Sequence, residues 1–112
     1  MIEYYEIDTG KCPMGKTKKY REHLLKSLED PNEAAAYLDA CLEDEDPHVF
    51  LLALKDVAEA RGGMGQLSKK ASLNRQSLYR SLSRTGNPKL VNVCTILASL
   101  GLEFHITAAA QN

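Results

Sequence analysis

Residues Gln66–Arg80 read QLSKKASLNRQSLYR, and this stretch decides the fold. Ser68 and Ala71 are small, which suits a point where two short helices cross closely. Ser72 stands where a tight turn needs an unusual backbone conformation, for which glycine would be the easier residue. Asn74 is a good N-cap for a second helix. The core shared by the two helices is expected from the spaced leucines Leu67, Leu73 and Leu78. The pattern predicts a helix-turn-helix.

The second helix of this pair begins with polar residues, where a helix of a protein core would be apolar. In a helix-turn-helix, the first turn of the second helix meets base edges in the major groove. Arginine suits guanine and glutamine suits adenine through paired hydrogen bonds. We therefore expect base-reading contacts from Arg75, Gln76, Ser77 and Arg80. Phosphate contacts, which are blind to sequence, are expected from Lys69, Lys70, Asn74, Tyr79, Arg84 and Lys89. The alternative is a helical bundle with a solvated basic face.

The flanking sequence predicts further helices on both sides of this stretch. Asp30-Pro31 and Asp46-Pro47 each supply an N-cap followed by proline at the first helical position. Apolar residues then recur at helical spacing, and Gly62-Gly63 stops one of the helices. The predicted helices span about 18–29, 31–44, 47–61, 65–71, 75–84 and 89–100. The fold class is therefore all-α, a compact helical bundle, with a short strand at 102–107 where apolar and polar residues alternate.

The charge is divided along the chain although the net charge is only −1. Residues 1–60 contain 7 Lys/Arg and 14 Asp/Glu, whereas residues 61–112 contain 7 Lys/Arg and 1 Asp/Glu. Such asymmetry suggests two surfaces with different partners, the basic one suited to a phosphate backbone. We divide the chain into an N-terminal extension or tail at 1–17, acidic helices at 18–61, a helix-turn-helix domain at 62–107 and a frayed tail at 108–112.

A homodimer is expected, because one short recognition helix makes few contacts and two half-sites one turn of DNA apart are the usual arrangement. The apolar residues after the last helix, Leu102, Phe104 and Ile106, are candidates for the interface. They could equally cap the core of the monomer.

The stretch 66–80 resembles the helix-turn-helix of the Cro/CI phage-repressor type, and the resemblance continues through Gly86-Asn87-Pro88 to Leu102. Two positions depart from that pattern. Met64 stands where the family often has glutamine, so one expected DNA contact is missing. Ser72 stands where the family often has glycine in the turn.

A closer resemblance covers residues 18 to about 107. The segments 30–38, 51–64, 77–83 and 86–88 resemble the addiction-module antidote family, whose members are HigA-like antitoxins. That resemblance implies a cognate toxin, an mRNA-cleaving protein of RelE/HigB-like fold, and repression of the shared operon by binding operator DNA. On this basis the acidic half would hold the basic toxin. The candidate contacts are Glu43, Asp44, Glu45 and Asp46, although a solvated helix end has the same composition. The alternative function is a stand-alone phage-type transcriptional repressor.

One motif argues for an enzyme instead. Residues 10–17, GKCPMGKT, match the phosphate-binding loop pattern G-x-x-x-x-G-K-[ST]. Such a loop needs a parallel sheet to hold it, and the rest of the chain is helical. The histidines are isolated and there is no Cys-x-x-Cys pair. We expect no enzyme, no catalytic residue, no metal, no cofactor and no small-molecule substrate.

The same sequence gives no sign of a membrane protein. It has no apolar run of the roughly 18 residues that a spanning helix needs. The acidic N-terminus also lacks the pattern of a secretory signal. A cytoplasmic location is therefore expected.

Overall fold

The structure, a computed structural model, describes residues 18–109, and this part of the chain forms helices without strands. The helices are α1 (Lys18–Ser27), α2 (Pro31–Leu42), α3 (Pro47–Ala60), α4 (Gly63–Ala71), α5 (Arg75–Ser81) and α6 (Leu90–Ser99). The all-α prediction is confirmed. The phosphate-loop match at 10–17, the N-terminal tail and the last three residues of the C-terminal tail lie outside the described residues.

Two of the helices begin as the sequence predicts. Asp30 caps α2 by accepting a hydrogen bond from the Asn32 amide, at 2.8 Å. Asp46 caps α3 in the same way through the His48 amide, at 2.9 Å. In both cases proline follows the cap, because its missing N–H would have no partner at that position.

Helix α3 is the centre of the bundle. Eight of its fourteen residues are buried, among them Ala53, Leu54, Val57 and Ala58 with no exposed surface. Helices α1, α2 and α4 pack against α3, while α5 and α6 pack against α4. One continuous core therefore draws on both the acidic and the basic half of the sequence. The division of function at residue 61 stays a prediction.

The end of α5 differs from the predicted bounds. The helix ends at Ser81, three residues before Arg84. The chain then folds back so closely at Gly86 that a Cβ there would lie 1.9 Å from the Ser81 carbonyl oxygen. Only glycine fits this approach. Arg84 therefore lies in a turn after the helix.

The predicted strand at 102–107 is wrong. A strand needs the backbone of a partner for its hydrogen bonds, and residues 18–109 contain no other strand. Two of the apolar side chains contact the core individually instead. Leu102 packs at its edge, and the Phe104 ring stacks on Phe50 with centroids 6.4 Å apart.

An ion pair and a hydrogen bond to one buried carboxylate join the first three helices. Asp56 on α3 is 3% exposed, accepts a hydrogen bond from Arg21 of α1 at 2.9 Å and another from the Tyr37 hydroxyl of α2 at 3.1 Å. Burial raises the pKa of Asp56 even though Arg21 acts in the opposite direction. Burial, together with the Asp56 carboxylate, also raises the pKa of Tyr37, so its phenol keeps the proton that it donates.

We expect Asp56→Ala to lower the free energy of unfolding by about 2–3 kcal/mol, because hydrogen bonds to a charged group are lost and the partly buried Tyr37 hydroxyl loses its acceptor. The matched control is Asp39→Ala, which removes an exposed carboxylate from α2. Urea unfolding followed by circular dichroism measures both. Equal stability of the two variants would contradict this account of how the helices are joined.

Candidate nucleic-acid interface

Helices α4 and α5 are joined by a turn with the geometry that the sequence predicts. Ser72 adopts the left-handed conformation, with φ 57° and ψ 43°. Its amide bonds to carbonyl oxygens of the last turn of α4, and the Leu73 amide bonds to the Ser68 carbonyl at 3.0 Å. A serine in this conformation costs more than a glycine would, since its Cβ crowds the backbone. The turn therefore forms although serine is less favourable than glycine at position 72.

The first turn of α5 is capped by Asn74. The Asn74 Oδ1 accepts a hydrogen bond from the Ser77 amide at 3.0 Å, so the predicted N-cap is confirmed. This bond occupies the side-chain oxygen, and the Asn74 side chain is exposed to solvent. Leu78 anchors the helix in the core with 2% of its surface exposed.

The predicted DNA contacts are all exposed. They comprise Arg75, Gln76, Ser77 and Arg80 for bases, and Lys69, Lys70, Asn74, Tyr79, Arg84 and Lys89 for phosphates. Helix α5 therefore has a buried side, formed by Leu78, and an exposed polar surface that is available to a partner. Their roles in binding DNA stay predictions.

The two neighbouring lysines of α4 have different surroundings. Lys69 lines a surface cavity together with Gly65 and Arg75. Lys70 lines another cavity, beside Arg61 and Gly101. Lys69 therefore shares a cavity with Arg75, one of the α5 side chains that were predicted to read bases.

Lys55 is a cationic neighbour of this surface that was not predicted from the sequence. The Nζ atom of Lys55, on α3, lies 5.5 Å from the centroid of the Tyr79 ring, and the guanidinium carbon of Arg75 lies 5.9 Å from the same centroid. Lys55 belongs to the acidic half of the chain. Nothing in its local sequence points to α5, because the contact depends on how α3 and α5 are placed in the bundle.

The acidic turn between α2 and α3 consists of residues 43–46. Asp44 accepts a hydrogen bond from the Asp46 amide at 2.9 Å, and Asp46 caps α3. The hydrogen bonds from the His48 amide and ring lower the pKa of Asp46, and nearby Arg84 contributes in the same direction. Two of the four predicted toxin contacts thus have a role within the fold, while the Glu43 and Glu45 side chains are exposed.

The ring of His48 connects this acidic turn to the turn that follows α5. Its Nδ1 lies 3.1 Å from the Asp46 carboxylate, and its Nε2 lies 3.1 Å from the Gly86 carbonyl oxygen. The acidic turn and the loop carrying Arg84 are therefore neighbours, although they are about 40 residues apart in sequence.

The predicted dimer contacts separate into two kinds. Leu102 and Phe104 contact the core of the same chain, as the alternative interpretation allowed. Ile106 has 97% of its surface exposed. Of the three, Ile106 has the most apolar surface left for a second subunit.

The described part of the chain contains no group of three or more His, Cys, Asp or Glu side chains that could hold a metal ion. None of its helices is long and apolar enough to cross a membrane.

A known protein family matches almost all of the described residues. Residues 18–108 match the family model described as probable addiction module antidote protein. The chain belongs to this family. Membership supports an antitoxin role and implies a toxin as partner.

A relative in this comparison is an uncharacterized protein of Haemophilus influenzae (strain ATCC 51907 / DSM 11121 / KW20 / Rd). It is 35% identical over 83 residues, which cover 74% of this chain and 84% of the relative. No solved structure shows significant similarity to the chain.

Proposed function

We propose that this member of the antidote family is the antitoxin of a type II toxin–antitoxin module, and that it represses its own operon by binding operator DNA. The observation that carries the DNA-binding part is the α4–turn–α5 unit. A capped helix with a buried leucine presents Arg75, Gln76, Ser77 and Arg80 to solvent, next to the cations that phosphates require. The unit acts as a helix-turn-helix, with α5 in the major groove.

The second part of the proposal is direct binding of a RelE/HigB-like mRNA-cleaving toxin. A protein that grips RNA is basic, so an acidic surface favours its approach. The family supports a toxin partner, and it favours this role over the alternative, a stand-alone phage-type repressor. The protein then works by binding rather than by catalysis, in the cytoplasm, where its operon and the mRNA are found.

The DNA-binding proposal is tested with Gln76→Ala and Lys69→Ala. Affinities for a duplex spanning the region upstream of its own gene, and for a shuffled duplex of equal composition, are measured across a range of salt. Gln76→Ala should cost about 1–3 kcal/mol on the first duplex alone, since a base contact is lost. Lys69→Ala should weaken binding to both duplexes alike, and it should reduce the slope of log affinity against log salt concentration by about one unit.

Two results would contradict parts of this proposal. If Gln76→Ala lowers both affinities equally, Gln76 does not read a base and α5 is not placed in the groove as proposed. If neither variant, nor Arg75→Ala, changes binding to either duplex, the helix-turn-helix assignment fails.

For toxin binding, the test uses Glu43 and Glu45, because Asp46 caps α3 and Asp44 accepts a hydrogen bond from the Asp46 amide. The double variant Glu43→Gln/Glu45→Gln should slow association with the co-expressed toxin severalfold at low salt, because the attraction between opposite charges is reduced. The control, Glu22→Gln/Glu33→Gln, removes the same charge from exposed positions on α1 and α2. Stopped-flow rates at low and physiological salt give the comparison. Equal rates for the two double variants would show that the acidic turn is not the docking surface.

We also propose a homodimer in which Ile106 contributes to the interface. A charge at an exposed apolar contact is costly to bury without a partner. Ile106→Glu should therefore shift the sedimentation of the protein from dimer to monomer at micromolar concentration, whereas Thr107→Glu, an exposed neighbour, should not. An unaltered protein that sediments as a monomer with and without the upstream duplex would overturn the proposal.

A further inference from the structure

Lys55 lies on the side of α3 that faces α5. Its Nζ atom approaches the Tyr79 ring, and the Arg75 guanidinium approaches the same ring at nearly the same distance. An aromatic face attracts cations, so the ring stabilises both side chains where they lie. Tyr79 itself is 40% exposed, and the group is therefore open to solvent.

The acids that follow Lys55 on α3 do not neutralise it. Asp56 and Glu59 both bind the guanidinium of Arg21, on α1. No carboxylate among residues 18–109 lies within 4 Å of the Lys55 ammonium. Helix α3 thus pairs its acids with α1 and presents a cation toward α5.

Arg75 is positioned by its neighbours on two helices. Its guanidinium carbon lies 3.5 Å from the point that a Cβ on Gly65 would occupy, so the absence of a side chain on α4 leaves room for it. It too has no carboxylate within 4 Å among the described residues. Among the described residues, no carboxylate therefore competes with an incoming anion for the N–H donors of these two cations.

We propose that Lys55 is a further DNA contact, which binds a backbone phosphate beside the bases that Arg75 meets, and that the Tyr79 ring holds the two cations as a pair. The inference rests on the proposed DNA-binding function. A lysine ammonium is a compact point charge suited to a phosphate, whereas the planar guanidinium suits paired hydrogen bonds. The interface with DNA then extends from α4 and α5 onto the acidic half of the chain.

The test compares Lys55→Gln with Lys26→Gln, which removes the same charge from an exposed position on α1. Fluorescence anisotropy is recorded with the upstream and shuffled duplexes at several salt concentrations. Lys55→Gln should weaken binding to both duplexes by the same factor and reduce the salt slope of the affinity by about one unit. Lys26→Gln should leave the slope unchanged, and Lys55→Arg, which keeps the charge, should retain it.

The ring is tested separately with Tyr79→Phe and Tyr79→Leu. Phenylalanine keeps the aromatic face and removes only the hydroxyl that was predicted to contact a phosphate, so Tyr79→Phe should bind both duplexes more tightly than Tyr79→Leu. Leucine is apolar but has no such face, so binding should weaken, with thermal melting as the control for folding. Equal affinities of the two variants would remove the role of the ring.

The outcomes separate this inference from the proposed function. If Lys69→Ala weakens binding while Lys55→Gln matches the unaltered protein, the Lys55 contact is wrong and the helix-turn-helix proposal stands. A decrease for Lys26→Gln as large as that for Lys55→Gln would mean that only net charge matters, which also overturns the inference. If Lys55, Lys69 and Gln76 variants all bind unchanged, the proposed function itself fails.

Discussion

Burial of α3 is the constraint on which the rest of the structure depends. Its face of Ala53, Leu54, Val57 and Ala58 is wholly excluded from water, and the alanines allow neighbouring helices to approach closely. Burying such apolar surface contributes roughly 25 cal/mol per Å², so this face favours any arrangement that covers it. Helices α1, α2 and α4 provide that cover, and α4 in turn carries α5. The exposed helix that we assign to DNA recognition is thus positioned through the core.

The buried face of α3 also carries a carboxylate, Asp56, which needs hydrogen-bond donors at specific positions. Asp56 accepts hydrogen bonds from Arg21 and Tyr37, on two different helices. Apolar contacts tolerate small shifts, whereas a buried charge without its partner is strongly destabilising. The network therefore fixes which faces of α1 and α2 meet α3, and it pairs Asp56 and Glu59 of α3 with Arg21.

Folding brings together charged residues from the acidic and the basic half of the sequence. Along the sequence, acidic and basic residues occupy different halves. In the structure, Asp46 lies near Arg84, and Lys55 and Arg75 both approach the Tyr79 ring. Part of the acidic run also caps α3, and so it serves the fold as well as the surface. Any partner of either half would therefore meet a surface of mixed origin.

The sequence by itself determined the local structure, because caps, turns and helical periodicity depend on residues within a few positions of one another. Asp30, Asp46 and Asn74 cap the helices that they were predicted to cap, and Ser72 makes the turn. The exposed set on α5 followed from the same short-range pattern. The predicted strand at 102–107 was wrong, since alternation indicates a strand only if a partner strand exists.

Only the tertiary structure decided which distant residues meet. The approach of Lys55 to Tyr79, the link from His48 to Gly86 and the ion pair of Asp56 with Arg21 each join positions more than 20 residues apart. No local rule relates such positions, because their distance depends on how whole helices pack around α3. The physical reason is that packing is set by the fit of many side chains together, whereas a cap or a turn is set by a few neighbours along the chain.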